Sequence, residues 1–135
     1  MKRMDFLEKK EKLFSNKTSP EEAKALGDFY LEAQRLHDAV AFYKKADHKE
    51  GLSRLRDMAV QSGDFQLLEE IVTDWDWESM DLVRTLARRA EELGRLNDAR
   101  RAYARVGDEV GQKRVAAALE ELMGRSREGA RVDTA

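Results

Sequence analysis

Apolar residues recur along this chain in three blocks that superimpose without gaps: Leu26, Tyr30, Ala39 and Tyr43; Leu55, Ala59, Leu68 and Val72; Leu86, Ala90, Ala99 and Tyr103. The blocks are offset by 29 and then 31 residues. Self-similarity at such a period is what stacked helical repeats produce, because one unit cannot bury its apolar face alone and needs a neighbour to cover it. In the first block Leu26, Tyr30 and Ala33 fall at i, i+4 and i+7. After a break at Gln34 and Arg35, Leu36, Ala39, Tyr43 and Ala46 fall at i, i+3, i+7 and i+10. Both spacings are helical, so the block predicts two amphipathic helices joined by a tight turn.

Helix boundaries are legible in the residues between these stripes. Ser19-Pro20-Glu21-Glu22 combines a capping side chain, a first-turn proline and two acids at the positive end of the helix dipole, so the first hairpin opens there. The second runs from about Glu50 to Trp75 and turns at Ser62-Gly63-Asp64, with Gly63 as the left-handed residue that ends a helix. The third runs from Ser79 to Val106 and turns at Gly94. Gly107 to Gly111 breaks the chain again, and Val115, Ala118, Leu119 and Leu122 make one further stripe, read as a C-terminal capping helix. Met4, Leu7 and Phe14, flanked by Lys2 and Arg3, predict a short N-terminal amphipathic helix covering the other end. The expected organisation is a helix and linker over 1–18, a helical repeat domain over 19–123 and a disordered tail over 124–135, where Gly, Arg and Ser replace apolar residues.

Composition supports an all-α fold: 41% hydrophobic, 39% charged and a single proline suit solvated helices with one buried stripe each. The absence of cysteine excludes disulfides, zinc ribbons and thiol nucleophiles. With no signal-like or membrane-spanning apolar run, the expected location is cytoplasmic, with no membrane partner. The net charge of -2 gives no general pull toward nucleic acid. Its distribution is uneven: seven acids and no Lys or Arg lie between Met58 and Val83, and seven arginines lie between Arg84 and Arg105.

The first block reads Ala23-x2-Leu26-Gly27-x2-Tyr30 and then Ala39-x3-Tyr43. This resembles the tetratricopeptide repeat (TPR), whose pattern is Trp-x2-Leu-Gly-x2-Tyr followed by Ala-x3-Phe. Ala23 stands in place of the Trp and Gly51 in place of the closing Pro, while Arg56 and Leu68 replace the small residues of the second unit. The resemblance implies a degenerate, right-handed TPR-like α-solenoid of about three antiparallel helix pairs with capping helices at both ends. It further implies that a partner peptide or helix lies in a concave groove lined by the first helix of each pair. The groove positions are then Lys24, Asp28 and Leu31, Ser53 and Asp57, and Arg84 and Arg88. The family's clamp for a chaperone C-terminus is not implied: Lys24 fits it, but Asp28 and Arg54 occupy the Asn places, and Asp81 and Thr85 those of the basic pair. Arg84 and Arg88, one turn apart, suit a partner carboxylate or phosphate, or else pair with acids of the second block.

Catalytic and metal chemistry finds no footing. His37 and His48 are 11 residues apart and cannot share a metal, and no phosphate loop or nucleophile elbow occurs. No cofactor, metal or enzymatic activity is expected. The run Asp74-Trp75-Asp76-Trp77-Glu78 offers aromatic faces to a cation. Trp75 shares the register of Ala46 and Val106 and is read as core, whereas Trp77 lies in the loop before Ser79 and either tucks in or serves as a binding anchor. The function expected is therefore a non-catalytic adaptor that binds another protein. The first alternative is homo-oligomerisation through the acidic and basic faces. The second is weak nucleic-acid binding along Arg84, Arg88, Arg89, Arg95, Arg100, Arg101 and Arg105.

Overall fold

The computed structural model describes residues 4–133, with side chains from 4 to 128, and is all-helical among them. The helices are α1 (Phe6–Phe14), α2 (Pro20–Glu32), α3 (Leu36–Lys45), α4 (Lys49–Ser62), α5 (Phe65–Ile71), α6 (Trp77–Glu92), α7 (Leu96–Arg105) and α8 (Glu109–Asp133). None is long and apolar enough to cross a membrane. Lys2 and Arg3, read as flanking the first helix, lie outside the described residues.

Capping follows the predicted chemistry at α2 and recurs at three other helix starts. Asp5, Ser19, Asp64 and Asp76 each accept a hydrogen bond from the backbone N–H three residues on, and Pro20 opens α2. The helix after Asp76 begins at Trp77, so Trp77 belongs to the first turn of α6 and not to a loop before Ser79. At α3 and α7 an arginine borders the helix instead. Arg35 and Arg95 precede α3 and α7, and their Nε atoms donate to Asp38 and Asp98 at 3.0 and 3.2 Å.

The turns share one geometry. Gln34, Gly63 and Gly94 all have φ between 61° and 77°, and they are 29 and 31 residues apart. After each, a backbone N–H reaches back five residues: Arg35 to Tyr30 O at 2.8 Å, Asp64 to Ala59 O at 2.9 Å and Arg95 to Ala90 O at 2.8 Å. This is the Schellman closure, which satisfies carbonyls that a helix end otherwise leaves open. It recurs at Asp47 and Gly107, where His48 and Asp108 donate to Tyr43 O and Tyr103 O, both at 2.9 Å.

The chain divides into two compact units: Met1–Met58 with Glu69–Ile71, and Ala59–Leu68 with Val72–Ala135. The division passes inside α4 and α5 because each contributes to both units. Gly51, near the start of α4, sits against Tyr43 in the first unit, and Gly63, just past its end, sits against Ala90 in the second. In the first unit α2 packs on α3. Ala23, Leu26, Tyr30, Ala39, Val40, Phe42, Tyr43 and Leu55 form its core, with Tyr30 and Phe42 stacked at 5.6 Å. Gly27 is required there because a Cβ would lie 2.5 Å from the Tyr43 ring. In the second unit α7 packs on both α6 and α8. Its core is Ala59, Val60, Phe65, Leu67, Leu68, Val83, Leu86, Ala87, Ala90, Ala99, Ala102, Tyr103 and Val115.

One expectation about the chain ends needs revision. α8 continues through Gly124 to Asp133, where a disordered tail was expected from composition. Low hydrophobicity argued for disorder, but Arg, Glu and Ala are good helix formers, and Glu121 pairs with Arg125 at i, i+4. A capping helix turns a polar face outward. Here α1 and α8 carry six of the eight exposed large hydrophobic side chains among the described residues.

Candidate functional site

Two hollows form on the faces where the sequence places binding residues, one in each unit. The first, of about 330 Å³, is lined by Lys24, Asp28, Leu31 and Glu32 of α2, with Tyr43, His48, Glu50, Gly51 and Arg54. The second, of about 390 Å³, is lined by Arg84 and Arg88 of α6, with Tyr103, Val106, Asp108 and Arg114. Five lining positions recur sixty residues apart: Lys24 and Arg84, Asp28 and Arg88, Tyr43 and Tyr103, His48 and Asp108, Arg54 and Arg114. The two offsets of 29 and 31 read from the sequence add up to that spacing.

The floors are built alike. In the first unit the Tyr43 ring lies so close to Gly27 and Gly51 that a Cβ on either would come within 2.5 and 2.8 Å of it. Its hydroxyl donates to Asp28, and the His48 ring tilts onto it at 5.1 Å. In the second unit Tyr103 lies against Gly111, where a Cβ would come within 2.6 Å, and its hydroxyl donates to Glu91 at 2.7 Å. Tight packing of a ring against a helix backbone accounts for all three glycines. Burial first, then the carboxylate at the hydroxyl, raises the pKa of each phenol. Both therefore remain neutral donors.

Electrostatically the hollows diverge. The first mixes Lys24 and Arg54 with Asp28, Glu32 and Glu50. In the second, Arg114 forks onto Glu91 through Nε and Nη2 at 2.7 and 2.8 Å, which neutralises that cation. Asp108, the acid among its lining residues, accepts from the Gly111 N–H at 2.9 Å at the start of α8. Arg84 and Arg88 are exposed, and neither has a hydrogen-bond or ion-pair partner among the described residues. They do not pair with acids of the second block. Four residues apart on α6, they project on one side about 6 Å apart along the axis, a span that suits a single carboxylate-bearing segment.

The other predicted positions fall elsewhere. Ser53 is half-buried on α4 and accepts from Arg56 Nη2 at 3.2 Å. Asp57 is exposed, 3.9 Å from Arg56 Nε. Neither lines either of these two hollows. Trp77 is 80% exposed, the arrangement read as an anchor. Trp75 is half-buried rather than core, and its ring is covered by the guanidinium of Arg105 at 4.2 Å. The cation that the acidic-aromatic run attracts is thus the chain's own. His37 bonds Glu70 through Nδ1 at 2.7 Å, and no metal-binding cluster occurs among the described residues.

Most of the arginine track is engaged inside the second unit. Arg89 donates to Gln61 O at 3.0 Å and Arg95 to Ser62 O at 3.1 Å, covering carbonyls at the end of α4. Arg101 and Arg105 lie over Phe65 at 5.1 and 5.9 Å. These four arginines hold the fold together, and a phosphate backbone or an acidic face would have to displace them. The Glu91–Tyr103–Arg114 cluster escaped the reading by blocks. Aligning Tyr43, Gly51 and Arg54 with Tyr103, Gly111 and Arg114 is the signal that finds it.

Glu91 makes the second unit sensitive to acid. Its carboxyl titrates below its ordinary value of 4.5, first because Arg114 bonds the carboxylate and then because Tyr103 does. The unfolded chain therefore takes up this proton at higher pH than the folded one. The stabilisation is complete above the ordinary value and is lost as pH falls through the folded one. Urea midpoints are expected to drop between about pH 6 and about pH 3, and less steeply in Glu91→Gln, which has no proton to gain.

Comparison with protein-family models, with curated proteins and with solved structures found no match to this chain.

Proposed function

We propose that the protein is a non-catalytic interaction scaffold, a TPR-like α-solenoid that binds an acidic segment of another protein over α6. The observation that carries this reading is the pair Arg84 and Arg88, exposed and unpartnered above a hollow whose third cation, Arg114, is already neutralised by Glu91. A charged pair left open in this way pays no cost of breaking an internal ion pair when a carboxylate arrives. Tyr103 and Val106 supply apolar surface beneath it. The left-handed residues at Gln34, Gly63 and Gly94 support the repeat reading, because they recur at the same intervals as the apolar blocks. Trp77, on the exposed first turn of α6, is the side chain best placed to anchor the same partner.

Panning a random peptide display library against the protein tests this. Enriched peptides are expected to carry Asp or Glu, and their affinity is expected to fall about tenfold or more in Arg84→Ala/Arg88→Ala, since each charge-assisted hydrogen bond contributes about 1.5–3 kcal/mol. Peptides without acids, or binding indifferent to both substitutions, would sink the reading.

A further inference from the structure

We propose that copies of this chain associate head to tail, with α8 of one copy docking on α1 of the next. Both faces are apolar and uncovered. On α1, Phe6, Leu7 and Phe14 are 71%, 74% and 77% exposed, and Leu7 and Phe14 flank an open hollow of about 440 Å³ with Lys10, Glu11 and Ser15. On α8, Val115 is fully buried. The same stripe then runs outward through half-buried Leu119 to Leu122 and Met123, 51% and 57% exposed. Positions 115, 119, 122 and 123 share one helical face. The stripe that packs into the second unit at Val115 therefore continues beyond it with nothing among the described residues to cover its far end.

Charge selects the partner. Lys9 and Lys12 of α1 are tied to Asp38 and Glu22, but Lys10, between Leu7 and Phe14, has no ion-pair partner among the described residues. Glu120 and Glu121 border the α8 stripe, paired only with Arg127 and Arg125 of their own helix. Exposed pairs of this kind contribute little and exchange readily. An apolar strip with a cation at its centre thus faces an apolar strip bordered by acids. Glu11 within the α1 hollow disfavours an anionic membrane as the occupant, whereas a second copy meets both strips. The two surfaces differ, so the contact is heterologous. Copies then add through unlike faces, until the series closes into a ring or continues open.

The test is sedimentation velocity at rising concentration on three proteins: the native chain, Leu7→Glu/Phe14→Glu, and Leu122→Glu/Met123→Glu. All four substituted positions are exposed, and circular dichroism verifies retained helix. The native chain is expected to associate as concentration rises, and each variant alone to stay monomeric. An equimolar mixture of the two variants is expected to stop at dimers, because it holds one open pair of faces. A milder variant, Lys10→Glu, is expected to weaken association about fivefold and to be rescued by Glu120→Lys/Glu121→Lys in the same chain. The proposal is overturned if the native chain is monomeric throughout, if either double variant associates as the native chain does, or if the mixture yields only monomers. A native monomer that binds phosphatidylserine vesicles through Phe6 and Leu7 overturns it too.

Discussion

Gly63→Ala is expected to lower the stability of the second unit by about 2–5 kcal/mol, far more than alanine at either of the other glycine turns. Two costs combine at this position. The residue sits at φ +67°, where a side chain costs roughly 1–2 kcal/mol. A Cβ there would also lie 2.7 Å from the Cα of Ala90, and backbone cannot swing aside as a flexible side chain does, which adds about 1–3 kcal/mol of overpacking. Gly94 and Gly107, at φ +77° and +71° with open space around them, carry only the first cost. Their alanine variants should lose about 1–2 kcal/mol. Gln34 occupies the equivalent turn at φ 61° with a side chain already in place, so Gln34→Gly should stabilise the first unit by a few tenths to about 1 kcal/mol, the gain in strain offset by glycine's freer unfolded chain. Urea midpoints for the four variants give the ranking. Equal losses for Gly63→Ala and Gly94→Ala would mean that the approach to Ala90 is not what requires Gly63.

That ranking bears on how much of the molecule can be read from residue order alone. Gly63 and Gly94 were identifiable as turns because glycine announces a left-handed conformation. Gln34 was identifiable only as an interruption between two stripes. Ser19-Pro20 and the i, i+4, i+7 spacings fixed helix type and position, since both depend on local geometry. What escaped depends on distance in space. Nothing near Trp75 in the chain reveals that Arg105 covers its ring, and nothing near Glu91 reveals Arg114. The division inside α4 is of the same kind, because an unbroken helical stripe carries no mark of which unit its two ends join. For the candidate site, Arg84 and Arg88 were legible as neighbours on one helix face. Their lack of partners depended on where every surrounding acid finally settles, with Glu91 taking Arg114, and Asp64 and Asp98 taking Arg95.

The helix that carries these arginines is seated on α7, and α7 on α8. Binding geometry over α6 therefore depends on side chains that do not reach the hollow. Arg95 and Arg89 tie α6 and its following turn to the end of α4, and Phe65 lies beneath Arg101 and Arg105. Arg89 and Arg95 should tolerate lysine poorly, because each reaches a carbonyl and a carboxylate from different nitrogens of one spread guanidinium, which a compact ammonium does not span. The two unpartnered arginines have no such role, so substituting them should change binding while leaving stability nearly intact. That separation is what makes them informative.

The largest loss in the first unit is expected from Tyr43→Ala, about 3–5 kcal/mol, since a fully buried ring is removed from between two helices. The ring is held on every side. Gly27 and Gly51 flank it at distances that admit no Cβ, His48 tilts onto it, and Asp28 accepts its hydroxyl. Gly51→Ala attacks the same contact from the other direction. Its Cβ would meet the ring at 2.8 Å and His48 at 2.6 Å, and the ring cannot retreat, because Gly27 closes the opposite edge and Asp28 anchors its tip. The single substitution should cost about 1–3 kcal/mol. In a Tyr43→Ala background the added methyl instead enters the cavity left by the ring, and alanine is a better helix former than glycine by about 1 kcal/mol. The double variant should then be no less stable than Tyr43→Ala alone, a coupling of at least about 1 kcal/mol. Denaturant unfolding of the four members of this cycle measures it. Additive losses would show that Gly51 is required for some reason other than the ring of Tyr43.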